Sequence, residues 1–363
     1  MGIRGINPGI NDLHMRNLSP IRNAFLAILI SMIPLICLDG QQSNFEPCSL
    51  PVDWSNIKLN LEGQPESPAR MLIVTNRLFN AEDANDEPFS NDLSEFREVT
   101  YLLACCEEGT WQLFPVDDLN TGLSQIDNGN DILLFVHGHG KNLPLVLTRS
   151  NQIQERYGVS LLVFDWPSKN SNFNKSLSRV RRCGENFYNL LLQIKEYRQE
   201  KMEAGQHLSL LMHSLGNYFI THMVVNGNNQ YMEEKIFDNI IMNAAAVRAK
   251  EHVEVISRLK IQDRIYVVYN NSDRVLRGAH LLTVGKMLGN LPLDPLAPNA
   301  SYVDFSLVAG SEHTYFAGYH QFEEDLPAIK HFYRGAFHGE DVDLSNPSLF
   351  TTDENKKIYQ VND

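Results

Sequence analysis

The chain has 363 residues, 43% hydrophobic and 21% charged, an ordinary globular balance with material for one large domain or two small ones. Asp and Glu number 44 against 31 Lys and Arg, giving a formal charge of −13. An acidic chain without a basic stripe is a poor nucleic-acid binder, and neither an internal repeat nor a heptad pattern is present.

In chain order, the first feature is a short apolar run. From Met15, "MRNLSPIRNAFLAILISMIPLICLDG" carries Arg16 and Arg22, then stays apolar from Ala24 to Leu38 with Pro34 inside. A positive start, an apolar core of about fifteen residues and polar "DGQQSN" after it match a secretory signal. A membrane span needs roughly 20 residues. Residues 1–40 are therefore expected to be a signal peptide or an N-terminal anchor. The mature protein would then be secreted or held in the cell envelope, with a membrane tether as the alternative to cleavage. Beyond Cys37 lie Cys48, Cys105, Cys106 and Cys183. An oxidising compartment permits a disulfide among them, but the neighbours Cys105 and Cys106 point to opposite faces of a strand and are poor partners for each other. Residues 41–68 are rich in Gln, Asn, Ser and Pro and read as a polar linker.

From residue 69 the pattern changes. "RMLIVTNRLF", "VTYLLACC", "DILLFVHG", "SLLVFDWP", "LSLLMHS", "NIIMNAAAV", "RIYVVYNNSD" and "YVDFSLV" are short runs, mostly apolar without alternation. Such runs mark strands buried on both faces, as in a parallel sheet. Between them, residues 173–203 and 247–261 have helical spacing with a polar face. Strands alternating with helices predict an α/β domain over 69–338, with helices on both faces of a mostly parallel sheet. Residues 339–363 are polar and read as a loose C-terminal tail.

In an open parallel sheet, ligands bind beyond the carboxyl ends of the strands. Three residues of matched chemistry fall there. Ser214 ends "LSLLMHS", Asp273 follows "RIYVVYNN", and His313 follows "YVDFSLV" after a short loop. The order Ser, Asp, His is that of α/β-hydrolases, where the serine sits on a sharp strand-to-helix turn and a glycine such as Gly216 lets the backbone pass. A neutral hydroxyl needs an adjacent base, so His313 would take the Ser214 proton while Asp273 holds the imidazole. The backbone N–H groups of Leu215 and His139 would stabilise the oxyanion. Rival assignments exist. Asp273 has an alternative reading as the N-cap of the helix after it. Asp304 and Asp165 are alternative acids, although one lies inside its strand and the other precedes the nucleophile. Asp238 and Asp263 precede strands, at the wrong end. His320 in "GYHQF" is the alternative base, and His213 is expected to be a packed histidine. "HGHGKN" lacks the further Asp and His of a metallo-hydrolase loop, so neither a metal nor a cofactor is expected.

"VHGHGKN", "LLVFDWPS", "MHSLGNY" and "SEHTYF", with "TNR" at Thr75 to Arg77, resemble the bacterial α/β-hydrolase family long catalogued only as a domain of unknown function. The resemblance covers roughly residues 70–335 and implies a serine hydrolase without fixing its substrate. The chain departs from the general G-x-S-x-G pattern, since Met212 stands at the first glycine position. The expected activity is hydrolysis of a small-molecule or lipid ester. The segment 274–298 is a candidate cap, with Leu and Met residues for an acyl pocket. A non-catalytic envelope protein that keeps the fold to bind a partner is the alternative.

Overall fold

A computed structural model describes residues 53–80, 87–94, 98–169, 172–228, 233–283, 285–317, 327–353 and 357–362. The apolar N-terminal run, Cys37, Cys48 and His320 lie outside the described residues.

The strands are β1 Ile57–Leu59, β2 Met71–Thr75, β3 Arg77–Phe79, β4 Phe89–Leu93, β5 Thr100–Glu107, β6 Thr110–Val116, β7 Ile132–Val136, β8 Ser160–Asp165, β9 Leu208–His213, β10 Phe237–Asn243, β11 Gln262–Tyr269, β12 Ser301–Asp304, β13 Phe350–Asp353 and β14 Ile358–Val361. The helices are α1 Leu119–Ile126, α2 Leu143–Tyr157, α3 Phe173–Glu200, α4 Tyr218–Val225, α5 His252–Ser257, α6 Arg274–Thr283 and α7 Pro327–Phe337. Twelve strands form one sheet in the order β1-β6-β5-β2-β8-β7-β9-β10-β11-β12-β14-β13. From β2 through β14 every neighbouring pair is parallel. β5 runs antiparallel to both β2 and β6, and β13 runs antiparallel to β14. This is an α/β fold around a large, mostly parallel sheet.

Every residue of β2, β7, β8, β9 and β10 is buried. Burial on both faces explains why these strands read as unbroken apolar runs. α2 and α7 pack against each other, α2 on β8 and α7 on β9 and β10, while α1, α3, α4 and α5 form a second chain of contacts. Phe164 of β8, Phe187 of α3 and Phe219 of α4 meet with ring centroids 5.2–5.4 Å apart. That cluster fixes α4, the helix that follows the turn at Ser214, and truncating one such ring typically costs about 3–5 kcal/mol.

Three expectations are corrected. The linker does not run to residue 68, because Ile57 pairs with Trp111 and β1 extends the sheet. The C-terminus is not a loose tail: β13 and β14 form an antiparallel pair, and β14 adds parallel to β12. Both additions are short and half-exposed, so neither needs the apolar run that marks a buried strand. The helix expected over 247–261 is shorter, His252–Ser257, because residues 245–249 instead hydrogen-bond the segment around Met287. Cys105 and Cys183 are free and buried, whereas Cys106 is disulfide-bonded, a state that oxidising compartments permit. Among the described residues no helix is long and apolar enough to cross a membrane.

Candidate active site

β9 ends at His213, and Ser214 follows with φ at 53°, in the left-handed region. A non-glycine residue held there costs on the order of 1–3 kcal/mol and persists only where its surroundings impose it. Here they do. The Asn217 side-chain amide donates to the carbonyls of Met212 and Ser214, both at 3.0 Å, and to that of Asn243 at 3.3 Å. The Ala246 N–H donates to the Ser214 carbonyl at 3.0 Å. A Cβ on Gly216 would lie 2.7 Å from the Val136 carbonyl oxygen, and one on Gly138 would lie 2.7 Å from the Ser214 Cβ. Glycine at both positions lets the turn and the loop after β7 cross in contact. Met212, at the first glycine position of the general motif, is fully buried and pairs in the sheet with Val136 and Met242. Its side chain fills core instead of crowding the turn.

The structure brings His313 and Asp273 together. Nδ1 of His313 is 2.6 Å from Oδ2 of Asp273, and the carboxylate is fully buried. The other carboxylate oxygen, Oδ1, accepts from the N–H groups of Val275 at 2.8 Å and Leu276 at 3.0 Å. Asp273 thus fills both roles the sequence left as alternatives: it caps α6 with one oxygen and holds His313 with the other. Its partner loop is fixed by Asn270, whose amide donates to the carbonyls of Gly310 and Glu312 at 3.1 Å.

His213 is packed, as expected, and also links β9 to His313. Its Nε2 donates to the His313 carbonyl at 3.2 Å, and the two rings lie 4.7 Å apart. Burial, then the neighbouring His313 and Lys141, push the His213 pKa well below its ordinary value, so the ring is neutral. Among the described residues no hydrogen bond joins Ser214 Oγ to His313 Nε2. Such bonds commonly tighten only once substrate is bound.

The loop after β7, His137 to Lys141, is clamped from below. Arg77, fully buried, donates to both oxygens of Asp165 at 2.6 and 2.8 Å and to the carbonyls of Lys141 and Trp166 at 3.1 and 3.0 Å. Thr75 donates to Asp165 at 2.7 Å. Burial alone would raise the Asp165 carboxyl, but the Arg77 guanidinium and the His137 contact hold it well below the usual carboxylate range. Gly140 and Lys141 donate from their backbones to Ser168. The backbone N–H groups of Leu215 and His139 carry no hydrogen bond among the described residues. The His139 ring turns away, with Nδ1 2.8 Å from Ser176 Oγ, so His137 and His139 do not converge on one point.

The rival acids are committed elsewhere. Asp304 accepts from Ser306 in a local turn, Asp165 belongs to the Arg77 network, Asp238 pairs with Arg198 and Lys235, and Asp263 pairs with Lys235. Sequence reasoning assigned no role to Asn217, Asn270 or Arg77. The signal for Asn217 lay in "HSLGN", where an amide side chain directly follows the glycine of the turn.

A sequence description of one family, alpha/beta hydrolases of unknown function (DUF900), matches residues 116–303, just over half of the chain. The match takes in His139, Ser214, Leu215 and Asp273 and ends ten residues before His313. No curated protein matches the chain. With a mostly parallel sheet, a serine at the turn after β9 and a family match over half its length, the chain belongs to the alpha/beta hydrolases of unknown function.

Proposed function

We propose that this protein is a serine hydrolase that cleaves a carboxylic ester through an acyl-enzyme on Ser214. The observation that carries the reading is the His313–Asp273 pair at 2.6 Å, with the other imidazole nitrogen unbound among the described residues, one packed histidine away from a serine held at positive φ. With Nδ1–H donated to Asp273, Nε2 is the basic nitrogen. It takes the Ser214 proton as Oγ attacks the ester carbonyl. Negative charge gathers on the former carbonyl oxygen, where the Leu215 and His139 N–H groups donate to it. Losing one such donor typically costs about 10²–10³ in kcat. The C–O bond to the alcohol then breaks, and His313 returns the proton to the departing oxygen. Water, deprotonated by the same nitrogen, cleaves the acyl-enzyme and restores Ser214. Asp273 keeps the tautomer and stabilises the imidazolium without itself taking the proton.

An ester asks least of this site, because an alkoxide departs more readily than an amide nitrogen. No metal or cofactor enters the steps. Ser214→Ala is expected to lower kcat on an activated ester by on the order of 10⁴–10⁶ while the melting curve is retained. Equal turnover by mutant and wild type would remove Ser214 from the mechanism.

A further inference from the structure

A cavity of about 440 Å³ lies beside the nucleophile turn and has no part in the steps above. Its size falls within the roughly 300–1,000 Å³ of small-molecule sites. Three contacts tie it to the chemistry. Tyr218, four residues after Ser214, lines it. So does Ala246, whose N–H holds the Ser214 carbonyl. Phe173 also lines it, its ring edge-on to His139 at 6.0 Å. The cavity is therefore walled by residues that touch the turn and the loop that would carry the second oxyanion donor.

The lining decides what could occupy it. Leu177, Met242, Val247, Val255, Ile256 and Met287 supply apolar wall. The polar members are largely spent on one another. His252 has Nδ1 on the Ala249 carbonyl and Nε2 2.8 Å from the Tyr302 hydroxyl. Arg248 pairs with Glu251 at 3.0 Å, Arg181 lies over the Tyr218 ring, and Thr221 donates to the Asn217 carbonyl. The exposed side chains of Asn174, Arg181, Arg248 and Glu251 make one side of the cavity polar, and the other side offers a ligand dispersion and the release of water from apolar wall.

We infer that this cavity receives the acyl chain of the substrate, and that the chain is aliphatic and of medium length. A space of about 440 Å³, at the smaller end of small-molecule sites, suits an acyl chain of roughly six to twelve carbons. The inference rests on the proposed acyl-enzyme, and it adds the substrate class. It also gives Met287 a function: of the segment suspected as a cap, this residue reaches the wall of the pocket.

The test is a chain-length series of p-nitrophenyl esters, acetate to palmitate, on the full chain. kcat/KM should rise from acetate by up to about fourfold per methylene, the equivalent of ~0.8 kcal/mol, peak between hexanoate and dodecanoate, and fall for palmitate. Leu177→Trp, at a half-exposed wall position, fills the cavity; it should cut octanoate turnover at least about tenfold and leave acetate within about twofold. Met287→Ala enlarges the cavity and should move the optimum to longer chains. A wild-type preference for acetate, or a profile unchanged in both folded variants, overturns the inference. If no ester is hydrolysed at all, the proposed function fails by itself. The cavity is then judged by calorimetric binding of octanoate to Ser214→Ala: binding abolished by Leu177→Trp supports the pocket, and no binding overturns it.

Discussion

Two buried Asp–His pairs stand at the carboxyl edge of the same sheet, and they are engaged differently. Asp165 lies 3.0 Å from His137 Nε2, and Asp273 lies 2.6 Å from His313 Nδ1. Around the first pair every group is engaged. The His137 Nδ1 faces the Gly138 carbonyl at 2.9 Å, its ring stacks on Trp166 at 5.5 Å and 6°, and Asp165 is forked by Arg77. Around the second, one imidazole nitrogen has no partner among the described residues, and the ring keeps 14% of its surface in solvent. A carboxylate on a histidine is therefore no signature of catalysis by itself. The proposed mechanism also needs a nitrogen left over for a reacting atom. The sealed pair holds a loop in place; the open pair can move a proton.

The comparison breaks most sharply by mutation of the two histidines. His313→Ala should lower kcat on an ester by on the order of 10⁴–10⁶ with little change in melting, since the residue acts as a unit with Ser214. His137→Ala should instead lower the melting temperature, because it leaves Trp166 unstacked and the Trp166 and Gly138 backbone groups without their partner. Steady-state kinetics and thermal unfolding on both variants decide the matter, and a kinetic collapse confined to His137→Ala would reverse the assignment.

Next in size is the ion pair beneath the loop. Arg77→Met strands a fully buried carboxylate, a loss typically of about 3–5 kcal/mol measured by denaturant unfolding. The sign with pH follows from the depressed Asp165 carboxyl: its stabilisation is present above the unfolded carboxylate value near 3.9 and is lost as pH falls through the lower folded value. Arg77→Met should therefore be the variant whose deficit shrinks as acid neutralises Asp165. A deficit independent of pH would mean that Arg77 acts only through packing.

A third Asp–His pair sharpens the contrast at smaller scale. His338 lies 2.7 Å from Asp131 through Nδ1 and 2.8 Å from the Tyr157 carbonyl through Nε2, with a fifth of its surface exposed. The Asp131 bond raises its pKa. Its contribution is complete below the unfolded histidine value near 6.5 and fades as pH rises through the higher folded value. His338→Gln should flatten that part of the stability–pH curve, an effect on the order of 1 kcal/mol or less, with ester turnover unchanged. An unflattened curve would place the pH dependence elsewhere.

The contrast between the pairs also explains what could be read in advance. Strands such as "DILLFVHG" and "LSLLMHS" were legible because two-sided burial demands continuous apolar sequence. Ser214, Asp273 and His313 stood out as candidates because they fall beyond strand ends, where an open parallel sheet binds ligands. Asp273 could not be divided between capping and catalysis, since that depends on two oxygens of one carboxylate facing different ways. Arg77 and Asp165 are 88 residues apart, and nothing local in "TNR" or "FDWPS" announces that they meet. β1, β13 and β14 escaped because a half-exposed edge strand carries little apolar sequence. The sequence ranked Asp165 lower as the acid on its position before the nucleophile; in the fold it is excluded by Arg77.

The central claim is that the open pair, and not the sealed one, activates Ser214. Labelling of the full chain with a fluorophosphonate, mapped by peptide mass spectrometry, tests it most directly, because the reagent reports an activated serine without assuming a substrate. The account predicts a single adduct on Ser214, absent in Ser214→Ala and strongly slowed in His313→Ala. A folded wild-type protein that takes no label, or one labelled at another serine, would contradict it.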